Sequence, residues 1–170
     1  PWSEQLLQVA AESGKPMVLD ADGLNLLAQG RVVAQAARDN WLLTPHPGEA
    51  ARLLGSETAS IERNRFEAVT QLQKRYGGAC VLKGAGSLIH DGKFMHLCRA
   101  GNPGMSSAGM GDVLAGVIGG LLAQKLAPMA AAQLGVELHA EAGDLASEYG
   151  ERGMLATDLF PFLHQLVNEV

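Results

Sequence analysis

The residue types that could do chemistry gather in four short strings. The longest is Gly101-Asn102-Pro103-Gly104-Met105-Ser106-Ser107-Ala108-Gly109-Met110-Gly111-Asp112, which runs into the apolar segment Val113-Leu114-Ala115-Gly116. A glycine-rich turn that opens a helix leaves backbone N–H groups unpaired at the positive end of the helix dipole, which suits phosphate. Asp112, at the start of that helix, would stand beside the anion, where a carboxylate can accept a proton from a substrate hydroxyl. The plain alternative is that Asp112 caps the helix; the small residues crowded before it favour the chemical role. The string is neither GxxxxGK[ST] nor a GxGxxG following a strand, so it is no Walker loop and no dinucleotide fingerprint.

The second string is Lys83-Gly84-Ala85-Gly86-Ser87, after Val81-Leu82. A lysine with two glycines at the carboxyl end of a strand suits polyphosphate, because open α/β sheets bind ligands there; a merely solvated lysine is the alternative. The third, Thr44-Pro45-His46-Pro47-Gly48-Glu49-Ala50, uses two prolines to fix a loop that presents His46 and Glu49. His46 there is either a substrate contact or a cap. The fourth, Asp20-Ala21-Asp22-Gly23-Leu24-Asn25, could hold magnesium through water or a polar substrate group, or form an Asx-type turn into a helix. The other histidines, His90, His96, His139 and His164, show no ligand spacing, and His139 and Glu141 are predicted to face solvent.

Each string follows or opens a regular element. Residues 3–13 carry Leu6, Leu7, Val9 and Ala10 at helical spacing. Met17–Leu19, Trp41–Thr44 and Ala79–Leu82 are apolar runs that read as buried parallel strands. Helices are predicted over 24–38, in two pieces around Gly30, over 49–54, from an N-cap at Ser60 to Gly77 with Ile61, Phe66, Val69 and Leu72 on one face, over 112–124, from Pro128 to about Gly150, and from a cap at Thr157 or Asp158 through Val167. Phe160, Phe162, Leu163 and Leu166 of the last are expected in the core. Residues 87–98 read as a β-hairpin, with Asp91-Gly92 suited to a type I′ turn. Alternating strands and helices make an α/β domain with a mostly parallel sheet, and nothing divides residues 1–170.

Composition narrows the class. With 170 residues, 47% hydrophobic and 18% charged, the chain can bury a sizeable core. A net charge of −5 with no Lys/Arg cluster argues against nucleic acid or a membrane surface as partner. The longest apolar run, Val113–Ala123, falls short of the roughly 18 residues that span a bilayer. Cys80 and Cys98 have no CxxC spacing, which excludes a disulfide framework and points to a reducing, cytoplasmic setting with both thiols buried.

Taken in order, VLDADGLN (18–25), TPHPGEAARLLG (44–55), VLKGAGSLI (81–89) and NPGMSSAGMGDVLAGVIGGLLAQ (102–124) resemble the ADP/ATP-dependent NAD(P)H-hydrate dehydratases, a branch of the ribokinase-like family. The resemblance covers nearly the whole chain, and TPHPGE with NPGM-x₄-GMGDVLAG is its most specific part. It implies a ribokinase-like three-layer α/β/α fold. It also implies an enzyme that removes water from the hydrated nicotinamide of NADH or NADPH, at the expense of ADP (or ATP) with Mg2+. By the same resemblance Thr44, Pro45, His46, Pro47, Gly48, Glu49 and Ala50 contact the hydrate, with Asn25 and Asp112. Lys83, Gly84, Ala85, Gly86 and Ser87 cradle the nucleotide, as do Asn102, Pro103, Gly104, Met105, Ser106, Ser107, Ala108, Gly109, Met110 and Gly111. Asp112 would deprotonate the C6 hydroxyl of the hydrate, and metal ligands stay open.

The family domain is longer at its amino end, so a partial domain lacking its first strands is expected, with the exposed sheet edge covered by a second copy or a retained upstream segment. In bacteria an epimerase domain often precedes this one. Two other readings stand beside the dehydratase: a small-molecule kinase of the same fold, for a vitamin precursor or sugar-like substrate, and a non-catalytic nucleotide-binding remnant.

Overall fold

The computed structural model describes residues 2–34 and 36–168. Five strands, β1 (Met17–Leu19), β2 (Trp41–Leu43), β3 (Ala79–Leu82), β4 (Leu88–His90) and β5 (Met95–Leu97), form one sheet in the order β1-β2-β3-β4-β5. The first three run parallel, with Met17 opposite Trp41 and Leu42 opposite Ala79. β3, β4 and β5 pair antiparallel, with Cys80 opposite His90 and Ile89 opposite His96.

The strands are apolar throughout because both faces are covered. Leu19, Trp41, Leu43, Cys80 and Leu82 pack against α1 (Trp2–Glu12), α2 (Ala21–Gln29), α3 (Pro47–Leu54), α4 (Thr58–Arg63) and α5 (Arg65–Tyr76). The alternate residues Leu42, Ala79, Val81 and Ile89 pack against α6 (Met110–Ala123) and α7 (Pro128–Ser147). Fully burying one such leucine or valine contributes about 1.5–3 kcal/mol. A satellite cluster ties α7 to α8 (Phe160–Leu166) through Met110, Ala142, Ala146, Met154 and Leu159. This is the expected three-layer α/β/α arrangement. No helix among the described residues is long and apolar enough to cross a membrane.

Several local expectations change. Of the second helical piece, 31–38, the described residues 31–34 and 36–38 form no helix. Gly30 ends α2 in the left-handed region (φ 67°), and bends follow, held by Arg38 N–H donating to the Tyr76 carbonyl at 2.8 Å and by its guanidinium over the Trp41 ring. Gln35 of that piece lies outside the described residues. α2 begins at Ala21, earlier than 24. The helix predicted from Ser60 is two helices broken at Asn64; Glu57 holds the N-cap position and Phe66 is exposed.

The hairpin closes through a four-residue loop and not a type I′ turn. His90 pairs with Met95, only Gly92 has positive φ, and the Asp91 carboxylate accepts from Lys93 and Phe94 N–H at 2.8 and 2.7 Å. α6 starts at Met110, two residues before Asp112. Thr157 and Asp158 lie within a 3₁₀ turn (Ala156–Leu159) that precedes α8, and Phe160 is exposed while Leu159 takes the core position.

Candidate active site

The parallel strands all deliver polar groups at one end of the sheet. Asp20 follows β1, Thr44 to His46 follow β2, and Lys83 follows β3. A cleft of about 910 Å³ opens there, walled by the Lys83–Ser87 loop, the Cys98–Ser107 segment, the first turn of α6 and the middle of α7.

At its base lies a charge cluster. Lys83 Nζ is 2.7 Å from Asp20 Oδ1 and 3.9 Å from Glu49 Oε2. Backbone geometry sets this meeting, because Lys83 N–H donates to the Pro45 carbonyl at 2.9 Å and Thr44 N–H to the Leu19 carbonyl at 3.1 Å. The three strand ends are thereby locked in line. The ammonium also abuts α6: a Cβ on Gly111 would sit 3.2 Å from Nζ. Glycine at 111 thus lets the helix start come down onto the Lys83–Asp20 pair.

The TPHPGE loop is organised by a reciprocal cap. His46 Nδ1 accepts from Gly48 and Glu49 N–H at 3.0 and 3.4 Å, while Glu49 Oε2 accepts from His46 N–H at 2.8 Å. Pro47 occupies the first helical position, where its missing N–H costs nothing. His46 is therefore a cap and a cleft wall at once, and Pro47 lines the cleft with it. Thr44, Pro45 and Ala50 are buried, the Thr44 hydroxyl donating to the Leu19 carbonyl at 3.3 Å. Gly48 and Glu49 stand behind His46, and Asn25 is turned aside, its Oδ1 accepting from Arg52 Nε at 2.8 Å.

At the start of α6 the sequence strings converge from far apart, and Lys83, Gly84, Ala85, Gly86, Ser87, Asn102, Pro103, Met105, Ser106, Ser107, Gly109, Met110, Gly111 and Asp112 all line the cleft. Gly104 and Ala108 do not. Gly109 takes φ 88°, a conformation that favours glycine, and turns the chain into α6. Val113 N–H donates to the Gly109 carbonyl, so the N–H groups of Met110, Gly111 and Asp112 precede the first intrahelical bond. Asp112 is exposed at the cleft wall and, among the described residues, has no hydrogen-bond or ion-pair partner. It does not act as the helix cap, since Gly109 holds that position.

Asn102 shapes its loop: Nδ2 donates to the Gly143 carbonyl and to Asp144 Oδ1, and Oδ1 accepts from Gly104 N–H at 3.0 Å.

Sequence reasoning missed three contributors. Asp144 also accepts from Gly101 N–H at 2.9 Å, fixing where the glycine-rich string begins. Arg65 donates to the Ala85 and Leu82 carbonyls and so supports the lysine loop from below; burial lowers its pKa, with Glu62 opposing. His139, expected in solvent, is buried in the cleft wall. Burial pushes its pKa down to about 4, against a raising contact with the Met110 backbone and a further lowering by Lys83. The small residues flanking it on α7 (Ala131, Ala132, Gly135, Ala142, Gly143) are the signal of a closely packed helix that could have placed it inside. Two cleft residues also carry buried polar atoms that find no partner among the described residues, Ser107 Oγ and His139 Nε2.

A small-residue turn opening a helix over a strand-end lysine, at the carboxyl end of a sheet covered by helices on both faces, is an arrangement of the ribokinase-like α/β class. Residues 1–165 match the NAD(P)H-hydrate dehydratase family, and the chain belongs to it. It is 53% identical over 169 residues to a bifunctional NAD(P)H-hydrate repair enzyme of Coxiella burnetii, covering 98% of this chain and 34% of that protein. Among solved structures, the ADP/ATP-dependent NAD(P)H-hydrate dehydratase of Bacillus subtilis, co-crystallised with ATP/Mg2+ and soaked with CoA, superposes with a TM-score of 0.75 at 28% identity, over 89% of this chain and 55% of that one. A ribokinase-like superfamily protein of Enterococcus faecalis gives 0.82 at 26% identity, over 96% and 57%. The chain thus spans about a third of the repair enzyme and little more than half of the solved chains.

Proposed function

We propose that the protein of which this chain forms the nucleotide-facing part uses ADP to dehydrate the hydrated nicotinamide of NADH or NADPH. The observation that carries the reading is Asp112, a carboxylate on the cleft wall with no partner among the described residues, beside the Met110–Asp112 amides that precede the first intrahelical bond of α6. In this reading the amides and Lys83 receive the terminal phosphate of the nucleotide, a preorganised stabilisation of developing charge. Asp112 accepts the proton of the C6 hydroxyl as its oxygen takes the phosphoryl group from ADP, leaving AMP. The phosphate ester then leaves as inorganic phosphate with loss of a ring proton, and the dihydronicotinamide is restored. His46, Pro47 and the Asp20 corner form the side of the cleft that takes the hydrate.

The donor set fits magnesium carried on the nucleotide. Among the described residues no group of three or more His, Cys, Asp or Glu is placed to hold a metal ion, and Asp20 and Asp112 are the cleft carboxylates. Magnesium usually binds through one or two carboxylates plus substrate phosphates, and there it would offset phosphate charge. We further propose that an epimerase accompanies this activity in the whole protein, as the bifunctional relative suggests. We also propose that the outer edge of β1 is covered there by further chain or a second copy, and that the reaction is cytoplasmic.

The test is full-length protein with NADPH hydrate, ADP or ATP, and recovery of dihydronicotinamide absorbance. Asp112→Asn is expected to lower turnover by about 10²-fold or more while ADP still binds. Near-normal turnover in that variant would remove Asp112 from the role of base. A phosphorylated product that persists without absorbance recovery would favour a kinase.

A further inference from the structure

His139 is the bulky polar exception on a face of α7 built from small residues. Those small residues bring α6 in close: a Cβ on Gly135 would lie 2.6 Å from Ile118 Cγ1. Into this tight seam His139 projects a ring only 8% exposed, and its Nε2 closes no hydrogen bond with any described group. A buried polar atom without a partner is costly, and an apolar residue of similar size would avoid that cost. The ring lies against the Met110 backbone and lines the cleft with Asp20, Lys83, Arg99 and Asp112.

The turn that the ring touches has few restraints of its own. Gly109 offers no capping side chain, and Asp112 bonds to no described group. The direction of the Met110–Asp112 amides is set by the Val113 N–H to Gly109 carbonyl bond, by the Lys83–Asp20 pair against Gly111, and from beneath by the buried Met110 side chain and His139.

We propose that His139 is a positioning residue of the nucleotide site, a neutral imidazole that holds the Met110–Asp112 turn from below in the geometry that receives the terminal phosphate. This deepens the ADP reading and rests on it. Neutrality suits the place, since a second cation beside Lys83 would be repelled, and burial keeps the ring uncharged at neutral pH.

The test compares wild type with His139→Leu and His139→Gln by calorimetry with ADP, thermal melting and histidine Cε1-proton NMR. The leucine variant is expected to melt at or above the wild-type temperature yet bind ADP roughly tenfold more weakly, with glutamine recovering most of the loss. The NMR signal absent from His139→Gln identifies the ring, and it should shift when ADP is added. A folded leucine variant that binds ADP within about twofold of wild type overturns the proposal alone. Where the leucine variant does not fold, a His139 signal unmoved by ADP overturns it equally. Wild type that fails to bind ADP overturns the nucleotide reading itself, and the positioning role with it.

Discussion

Replacing Lys83 with methionine keeps most of the stem and deletes the charge. In the native protein the ammonium lies 2.7 Å from Asp20 and 3.9 Å from Glu49, and the three side chains are only 19%, 12% and 6% exposed. At an effective dielectric of about 20, a 2.7 Å pair has a gross attraction of about 6 kcal/mol, much of it offset by desolvation. What the variant suffers is the other half of that balance: two carboxylates left together with no cation. We expect Lys83→Met to lose about 3 kcal/mol in urea unfolding at pH 7, as for a broken buried pair. Asp20→Asn in the same chain should restore a good part, giving a coupling energy of about 2 kcal/mol in the double-mutant cycle. ADP binding should weaken by about 1–3 kcal/mol, and more than hydrate binding, because the ammonium abuts the α6 turn at Gly111. A loss below about 1 kcal/mol with no coupling would mean that water screens the pair as it does on a surface, and the charge-cluster argument would fail. Lost hydrate affinity with unchanged ADP affinity would instead reassign the lysine to the substrate side.

Three more outcomes follow from particular contacts. His139 has its folded pKa depressed to about 4 from 6.5, so the unfolded chain takes up the proton first. Stability should be flat above pH 6.5, fall by about 2 kcal/mol by pH 5, and level off from this source below pH 4; subtracting the same profile for His139→Gln isolates that slope, and parallel profiles would refute it. Gly109→Ala, at φ 88° and with a Cβ 3.2 Å from that of Ala156, should lose about 1–2 kcal/mol in chemical denaturation and weaken ADP binding. Gly135→Ala should cost about 1–3 kcal/mol of overpacking against Ile118, despite alanine's better helix propensity, and a melt at or above wild type would show that the α6–α7 seam can open.

The three parallel strands and the loops that follow them were legible from short stretches of chain. Met17–Leu19, Trp41–Leu43 and Ala79–Leu82 are continuous apolar runs, each ended by a polar residue, and that pattern is local. The glycine-rich turn was legible for the same reason, since a positive φ at Gly109 and a helix start are properties of neighbouring residues. Local propensity misled where tertiary contacts outweighed it: residues after Gly30 give up helix as Arg38 bonds to the Tyr76 carbonyl, and the helix read from Ser60 breaks at Asn64. Which charges meet depends on the packed fold. Asp20 and Lys83 are 63 positions apart, and Asn102 and Asp144 are 42 apart. Their contacts depend on parallel register and on how closely α6 and α7 pack, quantities no short window of sequence carries. His139 shows this most plainly, because a histidine among alanines on a helix looks solvated until the sheet and α6 close over it and the burial that removes its water also fixes its charge.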